Sequence, residues 1–171
     1  TSGKNTLTST GIVDAAAPFG VAGLWLLDPH NLTIQTTRSN TNITGNPDFT
    51  TSNNSAILTV GSIQTALNAG TSVSVTTASA GTNTQRGDIT VANSITKSSG
   101  GNANLTLTAN RSIILNTGVS ISSTSGQMGV TLNADSDANG TGSITLNSTS
   151  SILSNGGDIV LGGGANPLTT A

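Results

Sequence analysis

Three short stretches in the C-terminal third share one pattern: Gly129-Val130-Thr131-Leu132, Gly142-Ser143-Ile144-Thr145-Leu146 and Gly157-Asp158-Ile159-Val160-Leu161. Each begins with one or two small or turn-forming residues and continues with an aliphatic residue, usually a threonine, and a second aliphatic residue. Successive side chains of a β-strand point to opposite faces, so Ile144 and Leu146 face the same side. The pattern therefore predicts short strands with one apolar face.

The same pattern recurs upstream, which makes the chain a series of short strands. Residues 87–91 and 104–107 match it closely. Weaker matches lie at 94–95, 111–115, 119–121, 151–153, 57–60 and 73–75. Internal repetition of short units is typical of a solenoid.

The composition favours an all-β fold. Of 171 residues, 30 are Thr, 23 Ser, 21 Gly and 19 Asn, and these four types are poor helix formers. Hydrophobic residues make up 33% of the chain and charged residues 7%. Because the hydrophobic residues are grouped in the strand pattern, we expect a folded chain rather than a disordered one.

The predicted fold is a parallel β-helix. Each predicted strand supplies two or three inward aliphatic residues, and Gly, Asn and Ser mark corners, where they tolerate left-handed backbone. Stacked coils of roughly 20 residues would place Thr, Ser and Asn in ladders on the outer faces. The alternative is a β-sandwich, but sandwiches usually carry core aromatic residues, and this chain has one Trp, two Phe and no Tyr.

We expect one continuous solenoid with an interruption. Its predicted parts are first coils at 1–35, a loop excursion at 36–56 and further repeats at 57–171. The excursion is polar and has no strand pattern apart from Ile43 and Phe49. Residues 62–70 are the one plausible helical turn, with Gly70 as its terminator.

A distinctive run lies in the first third: Gly23-Leu24-Trp25-Leu26-Leu27-Asp28-Pro29-His30-Asn31-Leu32-Thr33-Ile34. With the preceding Thr1-Ser2-Gly3-Lys4 and Gly11-Ile12-Val13-Asp14, it resembles the large filamentous-haemagglutinin-type adhesins of Gram-negative bacteria. A Trp-Leu-(Leu/Ile)-Asp-Pro-x-(Asn/Asp)-(Leu/Ile)-Thr-Ile segment recurs in that family. The resemblance implies a right-handed parallel β-helix, two-partner secretion through an outer-membrane barrel, and surface display as an adhesin or biofilm-matrix fibre.

These features define the expected location and partners. We expect a secreted protein, extracellular or on the outer cell surface, that contacts neighbouring coils of the same long polypeptide or end-to-end copies of itself. An outer-membrane transporter and a host or surface glycan are further expected partners. The chain lacks a signal-peptide pattern, so we expect an internal piece or a processed subunit. No run approaches the roughly 20 apolar residues of a membrane span. The net charge of −2 does not predict the basic surface that nucleic-acid binding needs.

Residues 135–140 have the D-x-D-x-N-G start of a calcium loop. Asp135, Asp137 and Asn139 place side-chain oxygens at alternate positions and are candidate calcium ligands. The bidentate acid of an EF-hand would fall on Leu146, which excludes that motif. The alternative interpretation is an ordinary corner rich in Asp and Asn, and no other cofactor is expected.

Seven asparagines fit the Asn-x-Ser/Thr glycosylation pattern. Asn, Ser and Thr are abundant, so composition alone produces some matches. Some adhesins of the resembled family are N-glycosylated, which makes these residues candidate acceptors. They are Asn31, Asn42, Asn53, Asn104, Asn110, Asn139 and Asn147.

The sequence offers little material for catalysis. A polysaccharide lyase or hydrolase needs grouped carboxylates or nearby Lys and Arg, whereas this chain has seven scattered Asp, no Glu and five basic residues. His30 is the only histidine and is predicted to lie in a turn, and Asp88 and Asp158 share a pattern position but lie far apart in sequence. We therefore expect an adhesin or matrix segment. A self-assembling filament subunit is the alternative, and a polysaccharide-active β-helix enzyme comes third.

Overall fold

A computed structural model of the chain describes residues 30–77 and 85–167. Within these ranges the protein is mostly β, with one short helix. The strand-like patch at 11–14, Trp25 and most of the run 23–34 lie outside the described residues. The described part of that run begins at His30.

Fourteen strands and one helix lie within the described ranges. In chain order they are β1 (Leu32–Gln35), β2 (Ile43–Thr44), β3 (Asp48–Thr51), β4 (Ala56–Thr59), α1 (Val60–Asn68), β5 (Val73–Thr76), β6 (Ile89–Val91), β7 (Ile95–Lys97), β8 (Ala103–Thr108), β9 (Ile113–Leu115), β10 (Ser120–Ser123), β11 (Met128–Ala134), β12 (Ile144–Leu146), β13 (Ser151–Leu153) and β14 (Ile159–Gly163). Every stretch with the strand pattern that falls in the described ranges forms a strand, as predicted.

The strands form three sheets in which almost all neighbours are parallel. The five-stranded sheet has the order β12-β9-β6-β1-β4, the three-stranded sheet β13-β10-β7, and the six-stranded sheet β14-β11-β8-β5-β3-β2. Among the strand pairs of these sheets, only β2 and β3 run antiparallel. The alternative fold, a β-sandwich, is built from antiparallel sheets. The mostly parallel pairing of these strands does not match a sandwich.

Paired strands are farther apart in sequence than the predicted repeat. Ile89 pairs with Ile113 and Ile113 with Ile144, which are register shifts of 24 and 31 residues. The predicted repeat of roughly 20 residues is therefore too short. The strongest clusters in the sequence are divided between the five-stranded and six-stranded sheets, so the spacing of successive clusters does not always measure the distance between stacked strands.

The inward residues of the strands build one buried core. Ile89 and Val91 are fully buried while Thr90 between them is partly exposed, as the alternation predicts. The strands β7 and β9 have the same pattern of burial. Burying one Val, Leu or Ile side chain contributes roughly 1.5–3 kcal/mol, so this shared core is the main force that holds the sheets together.

The outward residues form the predicted ladders of hydroxyl side chains only in part, because Ile57, Ile114 and Val160 stand in the same outward columns. Thr33 pairs with Thr90 on the five-stranded sheet, and Thr106 pairs with Thr131 on the six-stranded sheet. On the three-stranded sheet Oγ1 of Thr96 lies 3.3 Å from Oγ of Ser122. The outer faces are therefore polar but carry few charges.

The segment 36–56 is not the loop excursion that the sequence predicts. It contains β2 and β3, and β3 pairs in parallel with β5 through Phe49 and Val75. Phe49 and Thr51 are the buried residues of β3. The pattern was missed because one of the two inward positions is a threonine.

Helix α1 confirms the predicted helical turn. Its N-cap is Thr59, whose Oγ1 accepts a hydrogen bond from Ser62 N at 3.1 Å. Ile63 and Leu67 are fully buried beneath it. Gly70 ends the helix with φ +76°, the left-handed conformation that glycine adopts most easily.

A stacked corner glycine gives a test of close packing. Gly126 has φ +68°, and a Cβ there would lie 2.8 Å from the carbonyl oxygen of Gly101. We expect Gly126→Ala to lower the free energy of unfolding by about 3 kcal/mol, through backbone strain and the clash together. The control is Gly140→Ala, because Gly140 has φ +79° with open space around it. Gly140→Ala should lower the free energy of unfolding, measured by urea denaturation, by only about 1 kcal/mol. Equal losses in the two variants would contradict the close approach of residue 126 to the Gly101 carbonyl.

Candidate functional site

A shallow groove of about 490 Å³ lies on the outer face of the six-stranded sheet, across β8, β11 and β14. Thr106 and Thr131 stand side by side there because their strands are in register. In the adjacent column Asn104 pairs with Gly129. A Cβ at position 129 would clash with the Asn104 side chain. Because Gly129 has no side chain, the space between Asn104 and Asp158 stays open.

The groove presents hydrogen-bond donors and acceptors with little charge. Asn104, Gln127 and Asp158 are exposed along it. Asn102 Oδ1 accepts a hydrogen bond from Gln127 N at 2.9 Å, which orients one rim. A carboxamide offers both donors and an acceptor, and a carboxylate accepts only, so together they suit the hydroxyl groups of a sugar.

Sequence reasoning missed this groove. Its residues come from three strands that lie about 25 residues or more apart in sequence, and their neighbourhood depends on a register that no local pattern reveals. The one available signal is Gly129, a residue without a side chain placed directly before the inward Val130.

The three candidate calcium ligands do come together, at the corner that follows β11. However, Asp135 Oδ1 accepts from Asn139 N at 3.1 Å, and Asp135 Oδ2 accepts from Gly140 N at 3.0 Å. Asn139 Nδ2 in turn donates to Asp137 Oδ2 at 2.8 Å, and Asn139 Oδ1 accepts from Thr141 N at 2.9 Å. The oxygens face groups of their own turn, which is the geometry of the alternative interpretation, an Asp- and Asn-rich corner.

Across residues 30–77 and 85–167, no group of three or more His, Cys, Asp or Glu side chains is placed to hold a metal ion. Because Asp135 and Asn139 already accept hydrogen bonds from amides of their own turn, we expect the corner at 135–141 to be stable without calcium. Asp135→Ala should lower the free energy of unfolding by about 2 kcal/mol, because several backbone amides lose their acceptor. Asp135→Asn keeps one acceptor oxygen and should cost less.

The measurement is thermal unfolding of the wild type and both variants in calcium chloride and in EDTA. The melting temperatures should be the same in both buffers. A calcium-dependent rise in the wild type that Asp135→Ala abolishes would confirm the predicted calcium site.

Asp88 and Asp158 do not form a common row of carboxylates. Asp88 precedes β6 on the five-stranded sheet, whereas Asp158 precedes β14 on the six-stranded sheet. Asp88 is nearly buried and binds Arg111 in a bidentate ion pair, with Nε–Oδ1 and Nη2–Oδ2 distances of 2.6 and 2.5 Å. The hydrogen bonds to Asp88 raise the pKa of Arg111, desolvation opposes them, and the carboxylate charge adds to the rise. This pair joins two stacked strands and has a structural role.

Lys97 is a fully buried cation that the sequence analysis did not single out. Its Nζ donates to Ser99 O at 2.7 Å and Gly100 O at 3.1 Å, and also to the carbonyl of Ser125. The sequence contained a signal, because the alternation that turns Ile95 inward also turns Lys97 inward.

In the strand stacked on Lys97, a hydroxyl group supplies the hydrogen-bond donor at the corresponding position. Ser123 pairs with Lys97, and its Oγ donates to Ser125 O at 3.1 Å and Gly126 O at 2.9 Å. Both corners turn two carbonyl oxygens toward the interior, at the second and third residues after the inward side chain. An inward polar group is therefore required at this level of the stack.

Removing this cation tests that requirement. Lys97→Met keeps most of the side-chain volume but removes the ammonium donor that three carbonyl groups share. Ser125 O and Gly100 O keep a hydroxyl donor each, from Ser123 and Ser125, whereas Ser99 O loses the lysine. We therefore expect a loss of about 2 kcal/mol in the free energy of unfolding. Lys97→Ser, which repeats the residue found at position 123, restores one hydroxyl donor but opens a cavity. A Lys97→Met variant as stable as the wild type in urea would contradict the role of these bonds.

His30, which the sequence predicts to lie in a turn, has a buried side chain. It is 5% exposed, and its Nδ1 lies 2.8 Å from Asn54 Oδ1. Next to it, Asn31 Oδ1 accepts from the backbone amides of Gly87 and Asp88, both at 3.0 Å. The His30 contact ties the start of β1 to the segment before β4, and the Asn31 contacts tie it to the segment before β6, which gives both residues a structural role.

The seven candidate glycosylation sites differ in accessibility. Three are exposed (Asn53, Asn104 and Asn139) and four are partly buried (Asn31, Asn42, Asn110 and Asn147). The attachment atom Nδ2 donates to Asn54 O in Asn42 and to Asp137 Oδ2 in Asn139, both at 2.8 Å. Asn53 and Asn104 are thus the most accessible acceptors, and their modification stays a prediction.

No family model, curated protein or solved structure matches the chain. Function is therefore argued from the sites themselves. Among the described residues, no helix has the length and apolar character needed to cross a membrane.

Proposed function

We propose that the chain is a segment of a secreted, non-enzymatic adhesin or biofilm-matrix protein, built as a right-handed parallel β-helix. One observation carries this proposal: from β6 to β14 the chain passes through the five-, three- and six-stranded sheets in the same order three times. In a β-helix each such pass is one coil. The right hand follows from the resemblance of residues 23–34 and from the usual hand of parallel crossover connections.

The repeated architecture supports a structural role. Each added coil would lengthen the stack by roughly 4.8 Å without changing its cross-section. A chain of many such coils extends a binding surface away from a cell. The expected partners of this segment are neighbouring coils of the same polypeptide and an outer-membrane transporter that exports it.

The outer surface supports an adhesive role. Its ladders carry hydroxyl groups and few charges, and the groove places the amides of Asn104 and Gln127 beside the Asp158 carboxylate. Uncharged donors and acceptors on a rigid sheet suit a neutral glycan of a host or surface. We therefore place the adhesive contact in this groove.

A glycan array tests the adhesive role. The wild-type chain should bind at least one neutral glycan, and Asn104→Ala should weaken that binding by about tenfold because it removes a donor and an acceptor from the groove. The matched control is Asn53→Ala, which removes an exposed asparagine of the same sequence pattern outside the groove. It should bind like the wild type.

Two outcomes would contradict the proposal. If the wild-type chain binds no glycan, the adhesive role is wrong. If Asn104→Ala and Asn53→Ala bind equally well, the contact does not lie in the groove. Incubating the bound polysaccharide with the chain adds a third outcome, because its cleavage would favour the polysaccharide-active enzyme.

A subunit of a self-assembling extracellular filament is the second candidate function. It is favoured by strands β12, β13 and β14, which are the last strands of all three sheets and have apolar residues exposed. Such edges can pair with another chain.

A further inference from the structure

The groove on the outer face of the six-stranded sheet has glycines along its floor. Gly129, Gly156 and Gly157 all line it. A Cβ on Gly157 would lie 2.6 Å from Gly129 N, so a larger residue there would collide with β11. The floor is therefore bare backbone, which a ligand can approach closely.

Two polar side chains flank this floor. Asn104 pairs with Gly129 on one side, and Val130 N bonds to Asp158 O at 2.8 Å on the other side. Because neighbouring strands are about 4.8 Å apart, the Cα atoms of Asn104 and Asp158 are separated by roughly 10 Å. Both residues line the groove, so a ligand lying on Gly129 meets a carboxamide and a carboxylate together.

The Asp158 carboxylate is available to a ligand. Asp88 is held by Arg111, and Asp135 accepts amides of its own turn. In contrast, the exposed side chain of Asp158 makes no hydrogen bond or ion pair with any other residue of the described ranges. A carboxylate can only accept hydrogen bonds, so its natural partners are donors such as hydroxyl groups.

The groove also has a distinct charge. Asp158 is the one charged residue among the described residues that line it, and the others are Asn, Gln, Thr, Ala, Val and Gly. An acidic sugar placed on Gly129 would therefore bring a second negative charge next to Asp158 without a cation between them. Like charges at such a distance repel, whereas a neutral sugar meets no repulsion.

We propose that Asp158 determines which sugars the groove accepts. Its carboxylate accepts hydrogen bonds from two adjacent hydroxyl groups of a neutral sugar and repels sugars that carry a carboxylate or a sulfate. Adjacent hydroxyls project side by side from a sugar ring, as the two oxygens of a carboxylate do, and such charge-assisted bonds are stronger than neutral ones. The Asn104 carboxamide serves a third polar group of the same sugar. This inference rests on the proposed glycan binding and adds the class of sugar to it.

Matched oligosaccharides test this selection with the full 171-residue chain. One probe is the neutral oligosaccharide that the chain binds best on the array, and the other is the same molecule with the primary hydroxyl of its terminal sugar oxidised to a carboxylate. An intact mass of 16.8 kDa ensures that Asn104 carries no glycan of its own. Titration calorimetry should give the wild type an affinity for the neutral probe at least about tenfold higher.

Three variants assign this preference to one side chain. Asp158→Asn keeps the shape but removes the charge, so it should weaken binding of the neutral probe and bring the two affinities within about twofold of each other. Asp158→Lys should reverse the preference. The matched control is Asp48→Asn, because Asp48 is exposed on β3 of the same sheet but lies outside the groove. It should keep the ratio of the wild type.

The outcomes separate this inference from the function on which it rests. If the wild type binds both probes equally while Asn104→Ala still weakens binding, the groove binds glycans but Asp158 does not select them. A wild-type ratio in Asp158→Asn would overturn the inference in the same way. If the wild type binds neither probe, the proposed glycan binding is wrong and this inference with it. Both Asp158 variants should melt at the wild-type temperature, since that side chain makes no bond within the described ranges.

Discussion

The structure depends on one constraint, which is that the inward aliphatic residues of successive parallel strands must lie directly over one another. Ile89, Ile113 and Ile144 satisfy it on one sheet, although 24 and then 31 residues separate them. A slip of one residue would turn every inward side chain of a strand to the outer face. The connecting corners therefore vary in length while the register stays constant. The long corner at 135–143 accounts for the larger separation, from Ile113 to Ile144.

The same stacking decides how the polar groups of the corners are satisfied. A corner in one layer lies against a corner in the next, so its amides and carbonyls meet protein rather than water. Asn68 Oδ1 accepts from Ser98 N at 2.8 Å and Ser99 N at 3.2 Å, and Asn31 serves the segment before β6 in the same way. Lys97 and Ser123 supply donors where carbonyls converge. The abundance of Asn and Ser is thus a consequence of stacked corners as well as of polar outer faces.

The strands could be predicted because alternation is a local property that three residues already display. The pairing could not, since the distance between partners depends on corner lengths, and the loose spacing of the clusters led to a repeat that is too short. Lys97 followed the alternation but was not recognised, because a buried lysine without an acidic partner is rare. The groove at Asn104 escaped for the same reason as the pairing, as it exists only once β8, β11 and β14 are in register.

The segment that departs most from the strand pattern gains a role from its position. Residues 36–70 contain the polar stretch predicted as a loop, the antiparallel strand β2 and the helix α1, and among the described residues they lie at one end of the three sheets. A strand pattern that repeats without change always exposes another templating edge, so closing a stack requires a sequence that breaks the pattern. The irregularity of this segment therefore leaves no regular parallel strand edge at this end of the described sheets.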